Sequence, residues 1–241
     1  MKRSILKVLI VLALVLGMAA PGLAYTVIEA GDAGELITTS QNTTGGSGAL
    51  TTITGSLSSA GGAGDADLYK IYISDPANFT ATTVTGPKPP GNTFVPPDTM
   101  LFLFDASGKG LMGDDDVEIY YYVQSKLSKD TSLQPTVAGI YYLGVSAWNN
   151  QPLGSNNANI FPGAEAYASV QSTDDGLFMI PPISSLPLSG WDHNVDYGGQ
   201  GAYTITLEGV SAVPLPPSVL LMGTGILGLV GLGWRRSRKE T

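Results

Sequence analysis

Aspartates lie at short spacing in several polar stretches of this 241-residue chain, next to runs of strand-forming residues. Carboxylate oxygens are the ligands that Ca²⁺ prefers, and neighbouring carboxylates repel one another unless water or a cation separates them. The spacing therefore indicates a candidate calcium site. Its candidate ligands are Asp65, Asp67, Asp105, Asp114, Asp115 and Asp116. An EF-hand loop is absent, and the alternative is that Asp114–Asp116 form a solvated hairpin tip without metal.

Two tryptophans stand beside amide and carboxyl side chains. Trp148 precedes Asn149-Asn150-Gln151, and Trp191 precedes Asp192-His193-Asn194. Flat rings flanked by polar groups suit sugar binding through stacking and hydrogen bonds, on loops that a rigid scaffold supports. This pattern makes Trp148 and Trp191 candidate carbohydrate-binding residues, and extracellular polysaccharide a candidate partner. The alternative is that each ring covers one end of the hydrophobic core.

Few residues of the chain suit catalysis. It has one histidine, His193, and no cysteine, which excludes a thiol nucleophile and a multi-histidine metal centre. A Ser–His–Asp triad needs a serine within reach of the imidazole, and the nearby Ser189 lacks G-x-S-x-G surroundings. We therefore predict a non-enzymatic protein with no catalytic residues. The alternative is a secreted glycan-active hydrolase that uses a carboxylate pair, although 20 acids make some close pair inevitable.

Net charge and cysteine content exclude two further classes of protein, nucleic-acid-binding proteins and disulfide-stabilised domains. Seven of the 12 Lys and Arg lie in the terminal segments, which leaves five cations against 19 acids over residues 25–212, a net charge of −14. Nucleic-acid binding needs clustered cations that displace counterions, so this class is excluded. Without cysteine there is no disulfide framework, and the stability of an exported domain must come from its core.

The central part of the chain has the pattern of an all-β domain, which must position the candidate residues. It is rich in Gly, Thr, Ser and Tyr, and its apolar residues come in short alternating runs. Tyr203, Ile205 and Leu207 alternate with threonines, and Thr99–Phe104 is apolar on both faces, as in a buried strand. Residues 148–198 are predicted to form a loop-rich insertion. The predicted strands are Leu50–Leu57, Leu68–Ile73, Phe79–Thr85, Thr99–Phe104, Val117–Val123, Gly139–Ala147 and Ala202–Val210.

The first 24 residues have the layout of a secretory signal peptide. Lys2, Arg3 and Lys7 give a basic start, Val8–Ala20 is strongly apolar, and Gly22-Leu23-Ala24 supplies small residues for cleavage after Ala24. An uncleaved signal anchor is the alternative. We therefore expect export, with residues 25–212 outside the cytoplasm.

The C-terminal segment 213–241 has three successive parts. A Pro-rich motif, Val213-Pro214-Leu215-Pro216, precedes the uncharged stretch 219–234, and Arg235, Arg236, Arg238 and Lys239 follow as a cytoplasmic stop. At about 1.5 Å per residue the uncharged stretch spans roughly 24 Å as a helix, a minimal membrane crossing that snorkelling arginines complete. This predicts a transmembrane helix over residues 219–234.

This tail resembles the PEP-CTERM sorting signal of Gram-negative bacteria, in which a Val-Pro-Glu-Pro-like motif precedes a Gly/Leu-rich helix and an Arg-rich end. Leu215 stands where the family usually has Glu. The resemblance implies an exosortase as partner, anchoring in the inner membrane and then release to the cell surface or an extracellular matrix, with a role in exopolysaccharide or biofilm. The alternative is an ordinary C-terminal anchor that is never processed.

Residues 60–210 resemble the bacterial pre-peptidase C-terminal domain. The order of motifs carries this resemblance: Asp65-Ala66-Asp67-Leu68-Tyr69, then Asp98–Gly108, Asp114–Asp116, Ala138–Val145 and Gly201–Leu207. It implies a single jelly-roll-like antiparallel β-sandwich without catalytic machinery, used for binding, spacing or display. The expected organisation is therefore a signal peptide (1–24), one exported sandwich domain (25–212) and a sorting tail (213–241).

Overall fold

A computed structural model of the chain describes residues 23–44, 46–58, 64–86, 97–117, 123–162, 170–171, 177–194 and 200–213. This part of the chain is all-β, with a single 3-10 turn at Pro76–Asn78. The strands are β1 (Tyr25–Ile28), β2 (Gln41–Asn42), β3 (Leu50–Leu57), β4 (Ala66–Ile73), β5 (Thr80–Thr82), β6 (Thr99–Phe104), β7 (Gly110–Asp114), β8 (Lys126–Leu127), β9 (Gly139–Ala147), β10 (Pro152–Gly154), β11 (Val170–Gln171), β12 (Phe178–Met179), β13 (Leu188–Trp191), β14 (Gly201–Glu208) and β15 (Val210–Ser211).

Two main sheets form the domain. The first has the order β1-β3-β14-β5-β8, and the second has β15-β4-β9-β6-β7 with β2 added against β4. Most neighbours are antiparallel, but β1 runs parallel to β3 and β2 runs parallel to β4. The sheets are therefore mixed, and the expectation of a purely antiparallel sandwich is wrong at these two strands.

The inner core lies between the two sheets. On β14, Tyr203, Ile205 and Leu207 are buried while the residues between them are not, which confirms the predicted alternation. They pack against apolar residues of the second sheet in one cluster. A hydrogen bond of 2.6 Å between the hydroxyls of Tyr69 and Tyr203 joins the sheets within this core.

A second core covers the outer face of β6. All six residues of β6 are buried: Leu101 and Leu103 face the inner core, while Met100, Phe102 and Phe104 belong to the outer one. The outer cluster is completed by residues of the 148–198 region, which was expected to be a loop-rich excursion. The ring centroid of Phe102 lies 5.1 Å from that of Phe161 and 5.8 Å from that of Trp191. The insertion thus supplies a hydrophobic layer rather than a free loop.

Several predictions concern residues outside the described ranges. Almost all of the predicted signal peptide, residues 118–122 of the predicted strand Val117–Val123, and the tail from Pro214 onward fall there. The sorting motif beyond Val213, the helix 219–234 and the basic stop therefore stay predictions. Within the described ranges, no helix combines the length and the apolar character that a membrane crossing requires.

Candidate functional site

One end of the second sheet collects the acidic residues. Strands β6 and β7 pair antiparallel with Leu101 opposite Asp114, and β6 pairs with β9 with Thr99 opposite Ala147. The start of β6 and the ends of β7 and β9 therefore lie at the same end of the sheet. Strand β4 is antiparallel to β9 and begins there too, with Ala66 opposite Ser146. Two groups of carboxyls form at this end, separated by one strand.

The first group, which we call the Asp98 cluster, consists of Asp98, Asp115 and Asp116. One carboxylate oxygen of each residue lies within 4.8 Å of the others. Asp98 is 8% exposed and Asp115 is 9% exposed, and the Oδ1 atoms of all three residues are buried without a hydrogen-bond partner. Three buried acceptor atoms without a hydrogen-bond partner thus belong to one cluster, which is an unfavourable arrangement for the protein alone.

Burial is the main reason that the carboxyls of the Asp98 cluster hold their protons. Burial first, and repulsion by neighbouring carboxylates second, raise the pKa of Asp115 to about 9 and that of Asp98 to about 7. Burial alone raises the pKa of Asp116 to about 6. An empty cluster is therefore partly protonated near neutral pH, and a bound cation would favour the ionised forms instead.

A network of hydroxyls holds the backbone around the Asp98 cluster. The Ser125 hydroxyl donates to the carbonyl of Asp115 at 2.7 Å and also contacts the Thr99 carbonyl, so it links the end of β7 to the start of β6. The backbone N–H of Ser125 donates to the hydroxyl of Thr83, which lies 2.7 Å from that of Thr99. Ser125 and Thr99 are fully buried. The positions of Asp98 and Asp115 are therefore fixed by packed hydrogen bonds rather than by a free loop.

Trp148 lies directly beside the Asp98 cluster. Its backbone N–H donates to the carbonyl of Asp98 at 3.0 Å, and its indole N–H donates to the Asp115 carboxylate, which lowers the pKa of Asp115 in part. The side chain is half-buried. Since Trp148 follows the end of β9, the same sheet pairing that assembles the aspartates also places this ring against them.

The second group, which we call the Asp67 cluster, consists of Asp32, Asp65 and Asp67. Asp67 is completely buried, and its Oδ2 accepts a 2.6 Å hydrogen bond from the Tyr203 hydroxyl. Asp65 Oδ2 accepts from the Ser58 N–H at 2.7 Å, and Asp32 Oδ1 accepts from the Gly34 N–H at 2.8 Å. Asp67 Oδ1 is buried without a partner. Burial raises the pKa of Asp67 to about 8, while the Tyr203 bond lowers it in part.

The sequence grouped some of these aspartates correctly and others wrongly. Asp65 and Asp67 meet as expected, and Asp115 and Asp116 meet, but Asp105 and Asp114 belong to neither cluster. Asp105 follows β6 at the closed end of the β6–β7 hairpin, opposite to the end where β7 finishes. Asp114 accepts a hydrogen bond from the backbone N–H of Lys126 at 2.6 Å. The solvated-tip alternative is also wrong, because Asp114 is only 3% exposed.

Sequence reasoning missed Asp98 and Asp32. Asp98 immediately precedes the apolar strand β6, and in an antiparallel hairpin the start of one strand faces the end of the next. That rule, applied to Asp98 and Asp115, would have found the pair. Asp32 has no such signal, because it reaches Asp65 and Asp67 from a loop that no sheet pairing specifies.

Asp105 instead stabilises its own turn, and this gives a first prediction. Its Oδ1 accepts from the Ser107 N–H at 2.8 Å, the Ser107 hydroxyl at 2.7 Å and the Lys109 N–H at 3.0 Å, and these bonds hold its pKa below the usual value. Asp105→Ala is expected to lower the free energy of unfolding at pH 7 by about 1–3 kcal/mol. This contribution is present above the unfolded pKa and is lost as pH falls through the folded one. Urea unfolding at pH 7 and pH 3 checks it: an equal loss at both values would contradict the role of the charge.

The two candidate carbohydrate residues lie in different environments. Trp191 is 3% exposed, packs in the outer core and donates its indole N–H to the Glu35 carbonyl at 2.8 Å. Its ring therefore offers no face to a sugar, and the carbohydrate prediction is wrong for this residue because the ring completes a hydrophobic layer. Trp148 is half-buried, so the prediction for this residue stays open.

His193 has a structural environment. Its backbone φ is 55°, its backbone N–H donates to Asn150 Oδ1 at 2.9 Å, and its Nδ1 lies 2.8 Å from the Gly64 carbonyl oxygen. The same nitrogen lies 3.6 Å from a carboxylate oxygen of Glu35. These contacts fasten the end of the insertion to the segments before β4 and do not include a serine hydroxyl.

Comparison with protein-family models, with curated proteins and with solved structures gives no match for this chain. The fold and the site therefore define the class by themselves: an all-β, sandwich-like domain with two hydrophobic cores and two acidic clusters at one end of a sheet, each of which includes a buried aspartate. The resemblances to PEP-CTERM proteins and to the pre-peptidase C-terminal domain stay predictions.

Proposed function

We propose that this chain is a non-enzymatic, exported cell-envelope protein that presents a jelly-roll-like β-sandwich outside the cytoplasm. The observation that carries the proposal is the double core: β6 is covered on both faces, on one side by the first sheet and on the other by Ile160, Phe161, Leu188 and Trp191. A domain without disulfides that closes on itself in this way is a self-supporting unit suited to display, spacing or binding.

The proposed sorting route follows from the two ends of the chain. The signal peptide 1–24 directs export, the helix 219–234 holds the protein in the inner membrane, and the basic residues after Trp234 stay in the cytoplasm. An exosortase then cuts near Val213–Pro216, which releases the domain to the cell surface or to an exopolysaccharide matrix. The acidity of residues 25–212 supports a soluble, extracellular location and no nucleic-acid partner.

A glycan hydrolase is the second candidate, because the Asp98 cluster does bring raised-pKa carboxyls together beside a tryptophan. Glycosidases need two carboxyls about 5–9 Å apart on either side of a bound sugar. Here one carboxylate oxygen of each of Asp98, Asp115 and Asp116 lies within 4.8 Å of the others, and the Oδ1 atoms are buried, which leaves no room for a glycosidic bond between the carboxyls. The geometry therefore favours the non-enzymatic proposal. Release of reducing sugar that disappears in Asp115→Asn would reverse this choice.

The sorting proposal predicts a specific mature protein. Intact mass is measured on the native protein recovered separately from inner membrane, outer membrane and medium. We expect a form that begins at Tyr25, ends within residues 213–217 and lies outside the inner membrane. As a matched control, Pro214→Ala with Pro216→Ala alters the motif and leaves the apolar helix intact, so this variant should accumulate uncut in the inner membrane. If the wild-type protein is recovered from the inner membrane with Arg235–Lys239 still attached, it is a membrane-tethered domain, and the matrix proposal is wrong.

A further inference from the structure

We propose that the Asp98 cluster is a binding site for one divalent cation, calcium by preference, and that Trp148 lies beside the bound ion. Each of the three aspartates contributes one buried oxygen that has no hydrogen-bond partner. Asp98 and Asp115 are more than nine-tenths buried. Because carboxylate oxygens rarely stay buried without a donor or a cation, one bound cation would satisfy these unpartnered oxygens together.

The distances fit a single ion. Calcium binds oxygen at about 2.3–2.6 Å, so two oxygens on one ion lie at most about 5 Å apart. One carboxylate oxygen of each aspartate lies within 4.8 Å of one oxygen of each of the other two. Ion binding therefore needs only small side-chain rotations, while the backbone stays where Ser125 and Thr99 hold it.

The donor set favours calcium among the common metals. All three ligands are carboxylates, which excludes the nitrogen and sulfur donors that structural zinc sites use. The carbonyl of Asp98 accepts from Trp148 N–H and that of Asp115 accepts from the Ser125 hydroxyl, so both carbonyl oxygens are already engaged in the network that holds the site. Magnesium demands a near-ideal octahedron, whereas calcium accepts irregular sets of six to eight oxygens. The irregular geometry of a site built from two strand ends suits calcium better.

The Asp98 cluster is favoured over the Asp67 cluster on hydrogen bonding. In the Asp67 cluster, each carboxyl already accepts a hydrogen bond, from Tyr203, Ser58 and Gly34 respectively. Only one buried oxygen there, Asp67 Oδ1, lacks a partner. An ion in the Asp98 cluster would satisfy three such oxygens, so one bound ion should stabilise the protein more at that site than at the Asp67 cluster.

Full-length protein in detergent, stripped with EGTA, provides the test. Calorimetric titration with CaCl₂ should show one calcium per chain, and the melting temperature should rise in millimolar calcium. Terbium replaces calcium in oxygen sites and emits when a nearby tryptophan is excited. Trp148 contacts Asp115, so excitation at the indole band should give sensitised emission that excess calcium removes. Trp148→Phe should lose most of that emission and keep the calcium-dependent rise in melting temperature.

Two double variants distinguish the clusters and change the charge equally. Asp98→Asn with Asp115→Asn should lower calcium affinity at least tenfold and abolish the rise in melting temperature. Asp32→Asn with Asp65→Asn should keep both. Because the first variant removes repulsion between buried carboxylates, it should also melt higher than the wild type in EGTA. No calcium binding by the wild type, equal losses in both variants, or loss only in the second would overturn the proposal, and so would a first variant that melts lower than the wild type in EGTA.

Discussion

Replacing Asp67 with asparagine is expected to abolish the loss of stability that this carboxyl causes in the wild-type protein as pH rises from 5 to 8. Asp67 is completely buried between the sheets, and burial raises its pKa to about 8. Repulsion by the neighbouring Glu29, Asp65 and Asp32 contributes to this raised pKa. An unfolded aspartate ionises near 3.9, so between these values the folded protein binds a proton that the unfolded chain does not.

The sign of the effect follows from this difference. With a raised folded pKa, the stabilisation is fully present below the unfolded pKa and is lost as pH rises toward about 8. The slope for one such group is about 1.4 kcal/mol per pH unit. Asparagine keeps an acceptor for the Tyr203 hydroxyl and carries no charge. The free energy of unfolding of Asp67→Asn should therefore not fall with pH through this residue. Asp67→Asn should match the wild type only below about pH 4, be slightly more stable at pH 5 and exceed it by several kcal/mol at pH 8.

Urea unfolding of both proteins at pH 5, 6.5 and 8, with EGTA present throughout, measures the difference. Subtracting the two curves removes the contribution of the Asp98 cluster, which both proteins share. Asp105→Asn is the matched control, because the pKa of Asp105 is lowered and its loss should matter at neutral rather than acidic pH. Parallel curves for the wild type and Asp67→Asn across this range would contradict the raised pKa.

The strands were predictable because their signals are local. The observed bounds of β3, β6 and β9 coincide with the predictions, and the apolar run of β6 is visible within its own six residues. The double burial of β6 was predicted from the same run. The predicted strand Phe79–Thr85 is reduced to Thr80–Thr82. The local sequence pattern thus predicted which segments form strands better than it predicted the residues at which the strands begin and end.

The acidic site was only half predictable because sheet pairing assembles it. Asp105 was grouped with Asp114–Asp116 by closeness in sequence, whereas the hairpin sends the two to opposite ends. Asp98, which is farther along the chain from Asp115, is the residue that joins it. Register decides such partnerships, and register is a property of two strands that neither strand specifies alone.

The insertion was misjudged for a related reason. Phe161 and Trp191 are isolated aromatic residues among Asn, Gly and Pro, so no periodicity marks them as core. Their partners, Phe102 and Phe104, lie on the outer face of β6 and become visible only once the sheet exists. An apolar strand with two hydrophobic faces nevertheless requires a cover for each face, and the inner sheet can supply only one. The requirement that both faces of β6 be covered would therefore have predicted that residues from 148–198 cover the outer face.

The outer core leads to the second large prediction, which is the loss of stability on truncating Trp191. Trp191→Ala should lower the free energy of unfolding by about 3–5 kcal/mol, the usual cost of emptying a buried aromatic site. The change removes the contact with Phe102, leaves the Glu35 carbonyl without its donor and opens the face beside Gly144. Because the whole free energy of unfolding of a native protein is about 5–15 kcal/mol, this one substitution should remove a large fraction of it.

Trp148→Ala is the matched control, because Trp148 is the same residue type, is half-buried and lies outside both hydrophobic clusters. It should cost less than about half as much as Trp191→Ala in urea unfolding followed by circular dichroism. A cost below 1 kcal/mol for Trp191→Ala would show that the insertion does not seal the outer face. The difference in burial between the two tryptophans also determines how sugar binding is tested. Loss of polysaccharide retention in Trp191→Ala would report unfolding. Only a substitution of Trp148, whose ring is partly exposed, can report recognition of the sugar.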